Sequence, residues 1–224
     1  MVRSWYPPIF TLSRYEMTKD QYHHGDLRRA LLNAAERLVI REGPAQVSIR
    51  AIAREAGVSH AAPYHHFADR EALLAAVAGS GFDRLRSVMQ VAAGAGGPDD
   101  PLSRLQAAGI AYVRFAVANP EIYRLMFSGL LADRSRYPDL EASTEAAFGV
   151  LLAFLGDQGR AKGRGARPDA NRIPAVATAT WSLVHGLAFL LIEGLLADEV
   201  ASHGSDEIAR QVTRVLGVGL RSAV

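Results

Sequence analysis

An all-α chain in two parts is the architecture the sequence predicts, and three observations carry it. Apolar residues recur at three- and four-residue spacing in each patterned segment, and no stretch alternates in the manner of a strand. Two composition breaks, Gly94-Ala-Gly-Gly-Pro-Asp-Asp-Pro101 and the Gly- and Arg-rich run from Gly156 to Ala170, interrupt that pattern; the first reads as a connection and the second as a surface loop. Of the 224 residues 49% are apolar and 21% charged, enough to bury a sizeable core, which excludes disorder as the overall state. The expected parts are an arm over residues 1–19, a three-helix unit over 20–70 and a larger helical domain over 71–224.

The elements follow in order. Residues 1–16 contain no basic segment followed by a long apolar run, so no secretory signal is expected. Met17 is an alternative start, because MTKDQYHHGDLRRALL reads as a polar arm entering a helix. Residues 26–42 place Leu27, Leu31, Ala34, Ala35 and Leu38 on one stripe, and Gly43-Pro44 stops it. Ser48 is a good N-cap, Ile49, Ile52, Ala53 and Ala56 form an inner face, and Gly57 stands where a left-handed residue would end the helix. Ser59 can cap a second helix two residues later. So tight a turn, with the small Ala53 at the crossing, fits a helix-turn-helix or a plain helical hairpin with no nucleic-acid role. Pro63 removes an N–H that could bond the Ser59 carbonyl and biases Ala62 away from α geometry, so the second helix should begin irregularly.

Charge is uneven along the chain. Residues 1–70 hold ten Lys/Arg against seven Asp/Glu, and the remainder holds fifteen against sixteen, for a net charge of +2. Five of the seven histidines also lie in the first part, which points to a polyanionic partner. Cysteine is absent, so disulfides, thiolate zinc sites, iron–sulfur clusters and a catalytic thiol are excluded, and a reducing cytoplasm fits. The pairs His23-His24 and His65-His66 are sequence neighbours that diverge by about 100° on a helix and cannot share one ion; no metal or other cofactor is expected.

The next stretch, His60-Ala-Ala-Pro-Tyr-His-His-Phe67 followed by Ala-Asp-Arg-Glu-Ala-Leu-Leu74, extends the motif Ser48-Ile-Arg-Ala-Ile-Ala-Arg-Glu-Ala-Gly57-Val-Ser59. From about His24 to Val77 the chain resembles the tetracycline-repressor-like (TetR) family of bacterial regulators. The resemblance implies double-stranded DNA as partner, with the second helix in the major groove and the first crossing the backbone. It implies that His60, Ala61 and Ala62 face base edges, that Ser48, Tyr64 and His65 reach phosphates, and that Phe67 packs in the domain core. Arg70 stands where the family usually has Lys, and either cation can meet a phosphate. Arg50 and Ser59 complete the set expected at DNA. The reading helix supplies no arginine for bidentate guanine contact, so its base code should be thin, with apolar contact to thymine methyls and some specificity from DNA shape.

In the second part, residues 102–118 repeat a helical stripe through Leu102, Leu105, Gly109, Tyr112, Val113 and Ala116, and another helix starts at Glu121 after Asn119-Pro120. Residues 174–197 are apolar nearly all round: Trp181, His185, Ala188, Phe189 and Ile192 lie on one side, and Leu183, Leu187, Leu190 and Leu191 elsewhere. Ile173–Ile192 is long enough and uncharged enough for a membrane span, but Thr178, Thr180, Ser182 and His185 within it favour a helix covered on two sides in a soluble protein. Ile208, Val212, Val215, Leu216 and Gly219 give a terminal amphipathic helix. The family resemblance implies that the last two long helices meet their copies in a homodimer, the alternative being a larger monomeric core.

Trp181-Ser-Leu-Val-His185-Gly186, with Asn119-Pro-Glu-Ile-Tyr-Arg-Leu-Met-Phe127 upstream, resembles the Trp-His-Gly subtype of TetR-like C-terminal domain. Gly186 reads as a close approach of two helices, and His185 as a buried polar group needing a partner or as an effector contact. Tyr112, Phe115, Tyr123, Met126, Phe127, Phe148, Trp181, His185 and Phe189 exceed what a minimal helical core requires. They predict a mainly apolar cavity for a lipophilic or aromatic effector, oriented by His185 or Tyr123, the alternative being that these side chains fill one another's space. The expected function is a cytoplasmic transcriptional regulator, a repressor released from a palindromic operator by that effector. Alternatives are a DNA-binding dimer without an effector, or an enzyme using His185 with Glu193 or Tyr123. Against the enzyme stand the absence of a Gly-rich phosphate loop, a nucleophile elbow, metal-ligand spacing and cysteine.

Overall fold

The computed structural model describes residues 24–95, 100–161 and 172–223. The arm, Met17 and His23 lie outside them. Helix α1 (His24–Glu42) carries Asp26 in its first turn and Arg41 in its last, the polarity the helix dipole favours, and Gly43 leaves it at φ 78°. Leu31, Ala34, Ala35 and Leu38 are buried along its inner stripe. Helix α2 (Ile49–Glu55) starts where Ser48, in an extended conformation, accepts the Ala51 N–H on its Oγ at 3.2 Å. The turn closes at Gly57, φ 70°, with the Val58 N–H donating to the Ala53 carbonyl at 3.0 Å.

The second helix of the motif departs from expectation. It is a 3-10 helix over Ala62–His65, three residues beyond Ser59, and no side chain caps it. Pro63 has no N–H to offer the Ser59 carbonyl, so that carbonyl takes the Ala62 N–H at 3.1 Å, which tightens the chain to three residues per turn. Phe67 then returns to the core, with the Arg28 guanidinium 5.3 Å over its ring.

Helix α3 (Arg70–Ala95) begins on the Asp69 carboxylate, which accepts the Ala72 N–H at 2.7 Å. After it come α4 (Pro101–Ala118), α5 (Pro120–Met126), α6 (Pro138–Ala161), α7 (Arg172–Ile192), α8 (Ala197–His203) and α9 (Ser205–Ala223), and no strand occurs among the described residues. α3 packs on α1 and also on α4, α5 and α6, while α4 packs on α7 and α9. One apolar cluster runs without a break from Leu31 on α1 to Ala209 on α9, so the core does not divide at residue 70.

Four expectations are corrected. The helix read over 174–197 stops at Ile192, because Gly194 turns the chain at φ 69° and α8 follows. The loop read over Gly156–Ala170 is helical through Ala161 as the end of α6, and its remainder lies outside the described residues. Likewise Gly94 remains within α3. An isolated glycine costs only about 1 kcal/mol against alanine in a helix, too little to end one anchored by packing. At Gly186 an added Cβ would meet nothing within 4 Å; the close helix approaches are at Gly81, where it would come 2.8 Å from Met126 Sδ, and Gly109, where it would come 3.0 Å from Thr213 Cγ2 and 3.4 Å from Val184 Cγ1. Helix α7 passes by length and composition for a membrane span; within this one chain Ala177, Thr180, Val184, Leu187 and Ala188 are buried, whereas Phe189 and Leu190 are exposed on the side where the second cover was expected from a partner copy.

Candidate functional site: a DNA-reading surface and an apolar chamber

Ser48, Arg50, Ser59, His60, Ala61, Tyr64 and His65 are all exposed, with Ala62 half-buried and Pro63 turned inward. Tyr64, at 57% exposure, has no packing reason to be aromatic. The Ser48 Oγ is engaged as a cap, so what it adds to the surface is the N-terminus of α2, where backbone N–H groups and the helix dipole favour an anion. Arg54, one turn beyond Arg50 on α2, is exposed as well, and neither pairs with a carboxylate among the described residues. The sequence reading passed over Arg54, although its i, i+4 spacing from Arg50 was the available signal. On the opposite side Glu55 locks α2 to α1 through Arg37 (2.9 Å) and Arg41 (3.4 Å), and the Arg37 guanidinium holds the Glu55 carboxyl below the usual range.

Arg70 is turned away from that surface. Its guanidinium donates to the carbonyls of Val47, Pro44 (2.6 Å) and Ala45 (3.3 Å) and meets Glu71 at 3.3 Å. The side chain therefore ties the 44–47 turn, and hence the Ser48 cap, to the start of α3. A cation with five N–H donors satisfies three otherwise unpaired carbonyls there, which competes with any phosphate contact.

Between α3, α4, α6, α7 and α9 lies a chamber of about 380 Å³. Of the nine residues expected to form it, Tyr112, Phe127, Phe148 and Trp181 line it. Phe115 and Met126 are buried in the surrounding core, Met126 against Gly81. Phe189 is 54% exposed on the outer side of α7, rotated out of the row Ala177, Thr180, Val184, Ala188. The reading missed Phe82, Leu85 and Met89 of α3, Leu151 and Phe154 of α6, Thr213 and Leu216 of α9, and Arg134. Phe82, Leu85 and Met89 were visible as a three-and-four stripe, but a stripe does not say what it faces.

Tyr123 and His185 stand behind the chamber wall in a polar cluster. His185 Nδ1 lies 2.6 Å from the Tyr123 hydroxyl and 2.9 Å from that of Tyr112, the two hydroxyls are 3.1 Å apart, and Trp181 Nε1 donates to Tyr112 at 3.4 Å. With Nδ1 as acceptor the chain Trp181 to Tyr112 to Tyr123 to His185 satisfies each group in turn, which requires a neutral imidazole. Burial lowers the His185 pKa, pushes the Tyr112 phenol up to about 12 and raises that of Tyr123, so all three stay uncharged. These shifts oppose proton transfer between Tyr123 and His185. Glu193 is not part of the cluster, since it pairs with Arg124 at 2.8 Å. Among the described residues no group of three His, Cys, Asp or Glu gathers to hold a metal.

Comparison with known proteins fits this arrangement. Residues 31–77 match bacterial regulatory proteins of the tetR family, and residues 105–216 match the tetracyclin repressor-like C-terminal domain. A search of curated proteins finds no match. Among solved structures, a protein of unknown function from Rhodococcus sp. RHA1 is similar with TM-score 0.72 and 32% identity over 90% of this chain and 98% of that one. The TetR family transcriptional regulator PfmR from Thermus thermophilus shares the fold with TM-score 0.60 and 21% identity, over 83% and 96% of the two chains. The regulator FadR from Bacillus subtilis, solved in complex with stearoyl-CoA, does so with TM-score 0.65 and 12% identity over 85% and 98%. Matched in its DNA-reading unit and across half its length in the chamber-bearing domain, this chain belongs to the tetR family of DNA-binding transcriptional regulators.

Proposed function

We propose that the protein is a cytoplasmic, homodimeric repressor that leaves a palindromic operator when an apolar small molecule fills the chamber, and that it binds this molecule without transforming it. The carrying observation is the double use of α3. Its first turn is tied to the reading unit through Arg70, which donates to the Pro44 carbonyl, and farther along Phe82, Leu85 and Met89 wall the chamber. A ligand that repacks those side chains acts on the helix that positions the DNA surface. The ligand carried by FadR supports an apolar occupant, and the chamber volume is that of a small-molecule site. Phe189 on α7, Leu195 beyond it, and Val215 and Val218 on α9 form an exposed apolar side that a second copy would cover.

Footprinting on the DNA beside its own gene, with the protein purified without detergent, tests the reading. The expected result is two protected half-sites with centres one or more helical turns apart, about 34–36 Å per turn. An apolar ligand should then lower operator affinity by about 5- to 150-fold. Ligands that enter the chamber but leave operator affinity unchanged would favour a DNA-binding dimer without an effector. A monodisperse monomer would remove the dimer, and recovery only in membranes would revive the spanning helix.

A further inference from the structure

The chamber wall is apolar almost throughout; its charged lining residues are Arg134 and Glu145, beside the neutral Thr144, Thr180 and Thr213. Arg134 opens the 3-10 turn Arg134–Arg136 and lines the chamber with its guanidinium 5.4 Å from the centroid of the Phe82 ring. Its Nη1 donates to Thr144 Oγ1 at 3.2 Å and its Nη2 to the Met126 carbonyl at 2.7 Å, both neutral acceptors. No carboxylate among the described residues pairs with it; Glu145, the other charged residue of the lining, is exposed on α6 and forms no ion pair with it. Neighbouring arginines are provided for: Arg136 meets Asp69 at 3.2 Å and Arg124 meets Glu193 at 2.8 Å. Burial alone shifts the Arg134 pKa, downward, with no acidic group opposing it. A half-buried cation against an aromatic wall is costly until an anion joins it, and two bonds leave three of its five N–H donors for one.

Resting on the reading of the chamber as the effector site, we propose that its ligand is an apolar molecule ending in a carboxylate, with Arg134 as the carboxylate's partner. The planar guanidinium matches two carboxylate oxygens side by side, and Phe82, Phe127, Phe148 and Trp181 supply the apolar surface for the rest of the molecule. The same contact carries a signal. Arg136, two residues on in the same turn, holds Asp69, and Asp69 caps the first turn of α3. Drawing Arg134 from the Met126 carbonyl toward a ligand pulls on the turn that anchors the reading unit.

Decanoate and 1-decanol, equal in chain length and different in charge, test this on the full chain. Trp181 lines the chamber and Trp5 is the second tryptophan, so a Trp5→Phe background makes Trp181 the sole fluorescent reporter. Decanoate is expected to bind about tenfold or more tightly than decanol at pH 8. Arg134→Gln should remove that difference by weakening decanoate alone, and Arg134→Lys should restore part of it. Equal affinity for the two probes in the protein that keeps Arg134, a comparison that needs no Arg134 variant to fold, overturns the carboxylate class while leaving the chamber as a ligand site. An equal loss of both probes in Arg134→Gln also overturns it, because Arg134 then only supports the end of α5. Binding of neither probe overturns both this proposal and the effector reading beneath it.

Discussion

At Arg70 the donors that could reach a phosphate are spent on the carbonyls of residues 44, 45 and 47, whereas Arg50 on the first turn of α2 is exposed and unpaired among the described residues. The two arginines should therefore separate in experiment. Arg50→Ala is expected to weaken operator binding alike for all sequences and to reduce the slope of log affinity against log salt by about 1, as loss of one phosphate contact does. Arg70→Ala should leave that slope unchanged and destabilise the fold by about 1–3 kcal/mol, the cost of leaving hydrogen-bond partners of a charged group unmet. Anisotropy titrations across salt concentrations, with thermal melts of both variants, make the comparison. A slope that falls as far for Arg70→Ala as for Arg50→Ala would return Arg70 to the phosphate contacts.

Single elements divide their faces between inside and outside, and α9 does so between chamber and solvent. Ile208, Ala209, Thr213 and Leu216 turn toward the core and chamber, while Val215 is 70% exposed. Val215→Glu consequently leaves the folding of one chain undisturbed and places an unpaired charge where the second copy would dock, at a cost of several kcal/mol to association. Light scattering after sizing should report monomers at concentrations where the parent is dimeric. Leu216→Glu, which from the stripe alone looks like the same experiment, instead charges the chamber and should suppress ligand binding. A Val215→Glu protein that stays dimeric would move the interface off α9.

Across the described residues, the reading unit and the chamber domain are joined by α3, by packing of α1 on α5, and by ion pairs that include Arg84 with Glu36 at 2.6 Å and Arg136 with Asp69 at 3.2 Å. The second pair lies between the turn that lines the chamber and the cap of α3. Exposed pairs contribute at most about 1 kcal/mol, so Arg136→Ala should reduce the ligand's effect on operator affinity by about two- to fivefold while ligand affinity changes little. Operator titrations without ligand and at saturation measure the ratio directly. A ratio equal to that of the parent would leave the coupling to the packing of α3 alone.

What the sequence by itself determined is local. The helical class, the Ser48 cap, the left-handed Gly57 and the irregular start at Pro63 each depend on residues within one turn of one another, where propensity and hydrogen-bond geometry act without help from the fold, although that the whole segment is 3-10 was not foreseen. The exposure of the segment 59–65 belongs to the same scale, since Ser59, His60, Ala61, Tyr64 and His65 sit in one short run that Pro63 and Phe67 anchor inward. Only the tertiary structure decided that Phe82 and Met89 face the chamber while Phe115 and Phe189 do not, that Arg70 points inward, and that Arg134 stands in the wall paired with no carboxylate among the described residues. A stripe every three or four residues states that a helix has an apolar face. Which neighbour that face meets, and whether packing fills the space between them or leaves about 380 Å³ open, depends on the rotation and crossing of five helices far apart in the chain.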